Sequence, residues 1–158
     1  EYIHVLLNPL PVYGMAMGLV ALVVAWIARK RAAQAVALLI VALAGGSVWP
    51  VVEFGERGYD RVYAMSNKDA QQWLDVHATR ASRLAPVFYA VAVLAVATVL
   101  VPWKFPKTNN VLLAITLAMA LVALGLGGWI SHAGGQVRHS EFREGPPPEP
   151  VPQWTHGD

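Results

Sequence analysis

Residues 84–101 read LAPVFYAVAVLAVATVLV, a stretch without a charged side chain. A helix needs about 20 apolar residues to cross the hydrocarbon core of a bilayer, and this run is close to that length. A membrane strand would need a shorter, alternating pattern, which is absent. Backbone groups in lipid must pair within their own segment, so a helix is the reading that fits.

Three further stretches match it. They are residues 11–28, with apolar Val5 to Leu7 ahead of them, residues 32–52, and residues 111–130. The chain is 56% hydrophobic and only 14% charged, whereas a soluble domain carries about a quarter charged residues. The charges gather at Arg29 to Arg31, between Glu53 and Arg83, and after Arg138. The expected fold is all-α: a four-transmembrane-helix bundle with an outer helical loop and a Pro-rich tail. Residues 1–143 form the membrane domain and residues 144–158 the tail. Gly14, Gly18, Gly45, Gly46, Gly125, Gly127 and Gly128 are expected to serve helix packing.

Orientation follows from the short connections. One carries Arg29, Lys30 and Arg31, the other carries Lys104 and Lys107, and neither contains an acid. The positive-inside rule places both in the cytoplasm. The N-terminus, the 53–83 connection and the tail are then expected on the periplasmic side of a bacterial inner membrane. The first apolar run precedes its positive cluster, the reverse of a cleaved signal peptide. Trp26, Trp49, Trp103 and Trp129 fall at span ends, where an aromatic belt is expected.

The spans carry no Asp, Glu, Lys or Arg in their middles, which argues against a channel, proton pump or ion-coupled transporter. There is no cysteine, so disulfides, thiolate metal sites, cysteine-ligated iron–sulfur clusters and covalently attached c-type haem are excluded. No nucleophile paired with a base and no phosphate loop is visible, so the chain is not expected to be an enzyme by itself. With a net charge of +2 and its basic residues explained by topology, nothing points to nucleic acid.

Beyond the second span, a helix is expected from about Asp69, capped by Ser66 or Asn67. Trp73, His77, Arg80 and Leu84 then share one face. This helix continues into the third span. The tail EGPPPEPVPQWTHGD is too rich in proline for helix or sheet. Trp154 in it is a stray aromatic or an anchor, and His156 is left out of the site.

Four of the five histidines, His4, His77, His132 and His139, fall at span ends expected to face one side. Histidine is the commonest side chain for holding metals and haem iron. Arg138 is placed to fork onto a haem propionate or another carboxylate. Glu53, Glu56, Asp75 and Glu141 stand on the same side, either as acceptors orienting the histidines or as ligands to a hard metal. His77 with His132 is the first choice for an axial pair, and His4 with His139 the second. Zinc or copper would instead use three or four histidines with carboxylates. Gly134 and Gly135 either end the last helix or let its backbone approach a flat ligand. Met15, Met17 and Met119 read as packing, and Tyr13 and Tyr89 as interior or lipid-facing.

The segments IHVLLNPLPVYG, WLDVHATRAS and ISHAGGQVRHSEFREG carry a resemblance. Together they are similar to a family of uncharacterised four-helix bacterial inner-membrane proteins, catalogued as a domain of unknown function. The matching elements are the opening around His4, Asn8, Pro11 and Gly14, the Gly55–Glu56 pair with His77 after it, and Gly134, Gly135, Arg138, His139 and Glu141. Many relatives have a second histidine where this chain has Pro9. The resemblance covers most of residues 3–144. It implies association with c-type cytochrome domains, and hence an electron-transfer subunit bearing b-type haem that works between the quinone pool and a c-type cytochrome. The competing expectation is a cofactor-free structural or assembly subunit of a membrane complex, with the histidines making interfacial hydrogen bonds.

Overall fold

The computed structural model describes residues 2–143 and 145–147. Trp154, His156 and the tail from residue 148 onward lie outside the described residues, as does Glu144. Six α-helices follow in chain order: α1 Tyr2–Leu7, α2 Met15–Ile27, α3 Arg31–Gly46, α4 Val48–Met65, α5 Lys68–Lys104 and α6 Asn109–Arg138. Among the described residues there is no strand.

The helices join into four rods. A π-helical turn, Leu10–Gly14, links α1 to α2. Pro9 and Pro11 have no N–H to give to the carbonyl four residues back, and the turn widens there. The Met15 amide reaches the carbonyls of both Pro11 and Val12. Between α3 and α4 stands Ser47 alone, still at helical angles, with its hydroxyl donating to the Ala44 carbonyl at 2.7 Å. All four rods are long and apolar enough to cross a membrane.

The rods overshoot a bilayer. At about 1.5 Å per residue, α5 with its 37 residues is roughly 55 Å long, against a hydrocarbon core of about 30 Å. The excess lies mostly at the end that carries His4 and His77. There the sequence suggests a loop after Glu53, but α4 carries the second rod on as helix to Met65. The connection to α5 is only Ser66 and Asn67. Asn67 caps α5 by accepting from the Ala70 amide at 2.9 Å, while Ser66 donates back to the Val62 carbonyl.

The opposite end turns at Arg29. Its φ of 54° is left-handed, and the Arg29 and Lys30 amides bond back to the Trp26 and Ala25 carbonyls. That pair of bonds closes a helix in the Schellman manner.

The rods pack in chain order around a ring: α2 on α3, α3 on α5, α5 on α6, and α6 back on α2. Met15, Leu22, Val41, Phe88, Val91 and Leu113 fill the axis, with alanines at 37, 44, 85, 95, 120 and 123 between them. In lipid, helices associate through close packing more than through a hydrophobic drive, and small residues permit it. A Cβ at Gly18 would sit 2.8 Å from Val41, and one at Gly45 only 2.6 Å from the Phe88 carbonyl oxygen. Gly46, Gly125 and Gly128 face open space instead, so packing within the bundle does not account for them.

One buried polar pair crosses the interior. Thr98 donates to the Leu94 carbonyl at 2.8 Å and accepts from Thr116 at 2.8 Å, because its single proton is already used. Val20, Val24, Leu39, Leu43, Val93 and Leu121 project outward along the rods. Trp103 is exposed at a rod end, Trp49 and Trp129 are exposed further along their rods, and Trp26, next to a rod end, packs partly against the core. Met15 is buried, Met119 partly so, and Met17 and Tyr13 point out of the bundle.

Candidate cofactor site

At the end bearing α1, the α4–α5 turn and the C-terminus of α6, the rods stand apart. Between them is a cavity of about 760 Å³, within the roughly 300–1,000 Å³ of ordinary ligand sites. His4, His77, His139 and Arg138 line it, together with Gly55, Gly58, Gly134 and Gly135. Two pairs of glycines on facing helices give it walls of bare backbone. A second space of about 50 Å³ shares Asn8, His77 and Ser131 with the first, and apolar groups such as Val12, Val51 and Phe88 enclose the rest.

His4 enters from α1. Its Nδ1 lies 2.8 Å from the Val51 carbonyl oxygen of the second rod. A carbonyl can only accept, so Nδ1 carries the proton and donates. The ring packs closely on Gly55, where a Cβ would lie 3.0 Å from its Cε1 and Nδ1. His77 enters from α5 in the same way. Its Nδ1 donates to the Ile130 carbonyl at 3.0 Å, and a Cβ at Gly134 would again lie 3.0 Å from its ring. Neither Nε2 has a hydrogen-bond partner among the described residues. In the neutral imidazole that nitrogen holds the lone pair. A fixed Nδ1–H with a free Nε2 is the state in which histidine binds a metal.

The face Trp73, His77, Arg80 lies on α6. Trp73 meets His132 edge-on at 6.2 Å, His77 meets Ile130 and Gly134, and the Arg80 guanidinium covers the Trp129 ring at 3.8 Å. The four histidines do not all converge. His132 is exposed, pairs loosely with Gln136 at 3.4 Å, and does not line the cavity. His139 lines it from just past the end of α6, bonded to Glu141 at 2.9 Å and tilted against Phe142. The Glu141 carboxyl also accepts from its own backbone N–H. That bond first and His139 second hold it below the usual carboxylate range.

Gly134 and Gly135 do not end the helix. α6 runs through them to Arg138, where Arg143 folds back and donates to the Gln136 and Val137 carbonyls. Arg138 stays exposed at the cavity rim.

Of the four acids only Glu141 bonds a histidine, His139, and none bonds His4 or His77. Glu53 is bound to Arg57 at 2.6 Å, Glu56 is exposed, and Asp75 accepts from the Tyr59 hydroxyl at the cavity wall. Backbone carbonyls of Val51 and Ile130 bond those two instead. Among the described residues, no three His, Asp or Glu side chains gather closely enough for a metal ion. A haem iron needs only two imidazoles. Sequence reasoning missed the carbonyls, which leave no trace in residue identity. It also passed over Gly55 as a packing surface for His4, although the Gly55–Glu56 element was in view. Comparison with family models, with curated proteins and with solved structures found no match.

Proposed function

We propose that this chain is an inner-membrane electron-transfer subunit of a bacterial complex, holding b-type haem in the outer cavity at the periplasmic end. One observation carries the reading: two imidazoles with bonded Nδ1 and free Nε2 share a glycine-walled cavity of about 760 Å³. The donor set suits haem iron, the bare backbone at Gly134 and Gly135 suits a flat macrocycle, and Arg138 at the rim suits a propionate. The haem would supply one-electron carriage. The protein's share is to fix the imidazole tautomers and to keep the ligands near the membrane surface. The electron donor on this reading is the quinone pool, and the acceptor is a periplasmic c-type cytochrome.

The test is a reduced-minus-oxidised absorption spectrum of the detergent-purified chain, with haem measured per protein. A sharp b-type band that scales with protein is the expected result. A flat spectrum from well-folded protein would refute it, and elemental analysis would then decide between zinc or copper and no cofactor.

A second reading has its own support. The His4 bond ties α1 to α4, and the His77 bond ties α5 to α6. Those are the stitches expected of a cofactor-free assembly subunit. On that reading, replacing either histidine lowers thermal stability and changes no spectrum.

A further inference from the structure

The two histidine cradles are copies of one another. In each, a histidine near the start of one rod donates from Nδ1 to a carbonyl of the next rod, and its ring rests on a glycine four residues beyond that carbonyl. The first copy is His4, Val51 and Gly55; the second is His77, Ile130 and Gly134. The chain separations are similar too, 47 and 53 residues. The rods follow chain order around the ring and alternate in direction. A half-turn about the bundle axis therefore carries the first pair of rods onto the second, and one cradle onto the other.

The two rings meet near that axis. Their centroids are 6.4 Å apart and their planes 78° from parallel. Two imidazoles on opposite sides of one metal, each bonded at about 2 Å, have ring centres roughly 6 Å apart. Both free Nε2 atoms belong to side chains that line the same cavity. His132 packs on Trp73 outside it, and the His139 ring, although its Nδ1 is bonded too, lies past the end of α6 against Phe142 and not against His4 or His77.

We infer that His4 and His77, one from each half of the bundle, are the two axial ligands of a single haem iron through Nε2, and that Gly55 and Gly134 are the positioning residues that set their reach. This rests on the haem reading above. His132 and His139 are outside the ligand set. The proposal pairs histidines across the half-turn and abandons both pairs that the sequence suggests.

The experiment uses the full chain in detergent, as wild type and as His4→Ala, His77→Ala, His132→Ala, His139→Ala and Gly134→Ala. Haem per protein and the low-spin signal of bis-imidazole iron are read, with helicity and size-exclusion profile as fold controls. His4→Ala and His77→Ala are expected to lose the low-spin signal, and added free imidazole to restore it. His132→Ala and His139→Ala are expected to keep both signal and occupancy. Gly134→Ala is expected to weaken haem binding by about 10-fold or more, the size of effects seen when a ligand's support is disturbed. A wild type without haem overturns the functional reading and the pair with it. A wild type with haem whose low-spin signal survives His4→Ala or His77→Ala, or is lost in His132→Ala, overturns the pair alone. Should an alanine variant misfold, Gly134→Ala decides, because it keeps both imidazoles: unchanged binding there removes the cradle argument.

Discussion

The glycines of the spanning half and those of the histidine end do opposite things. Gly18 and Gly45 let two helices close until backbone meets side chain or carbonyl, with no room for a Cβ. Gly55 and Gly134 are tight as well, but what a Cβ there would meet, at 3.0 Å, is an imidazole ring from a neighbouring rod. The first kind removes space between helices. The second kind holds a flexible polar group between them and leaves a cavity beyond it. The same residue therefore seals one end of the bundle and furnishes the other. The difference lies in what is pressed against it: backbone and a β-branched side chain of a packed helix at Gly45 and Gly18, the end of a rotatable imidazole at Gly55 and Gly134.

The largest expected effect is at Gly45. In Gly45→Ala the new methyl would lie 2.6 Å from the Phe88 carbonyl oxygen and 3.1 Å from the Ala92 Cβ. Backbone cannot swing aside, so α3 and α5 must separate. Overpacking of this kind costs about 1–3 kcal/mol, and the upper part of that range should appear as a lowered midpoint of thermal unfolding in detergent. Gly46→Ala is the control, since nothing lies within 4 Å of its Cβ. Equal losses in both variants would break the distinction between sealing and spare glycines.

Gly134→Ala should come next. Its methyl meets the His77 ring, which can rotate away at the expense of the bond to Ile130. A hydrogen bond of this type is worth about 1 kcal/mol net. The expected loss of stability is therefore smaller than at Gly45, read by the same unfolding measurement. A loss as large as that of Gly45→Ala would mean that the two ends obey one rule after all.

How far the sequence revealed this difference is itself instructive. The four apolar rods were readable because hydropathy in lipid is decided over whole segments, and no single residue can hide it. The one-sided histidines were readable for the same reason, as span ends. The extension of α4 past Glu53 was not, since Glu53, Glu56, Arg57, Asp60 and Arg61 resemble a solvated loop and a solvated helix equally well. The close approach of the His4 and His77 rings was not readable either. It depends on the order of rods around the ring and on two backbone carbonyls, and neither is written in residue types. Nor do residue types say which face of α6 a neighbouring helix contacts, and His132 meets Trp73 outside the cavity.

The threonine pair sharpens the comparison from the sealed side. Thr98→Val keeps the shape of the side chain and removes the hydroxyl that accepts from Thr116. Hydrogen bonds between helices in membranes average about 0.6 kcal/mol, because the separated helices find other partners. A loss near that size is expected on unfolding, with no change in cofactor content. A variant that lost haem would show that the two ends are coupled through α5.

The smallest effect is expected at Arg57. Its guanidinium binds Glu53 at 2.6 Å one helical turn away, with the arginine side chain 68% exposed. It also stands over the Phe54 ring at 5.8 Å, and Phe54 lines the cavity. Exposed pairs at this spacing contribute about 0.3–0.5 kcal/mol, and salt screens them. Arg57→Ala should therefore shift the unfolding midpoint barely at all, and raising the salt concentration should erase what shift there is. Arg57 does not itself line the cavity, so on the haem proposal its loss should leave haem content unchanged. If Arg57→Ala instead lowers haem content at constant helicity, Phe54 must depend on that cation for its place. The cavity would then be shaped from its solvent face as well as by the glycines within.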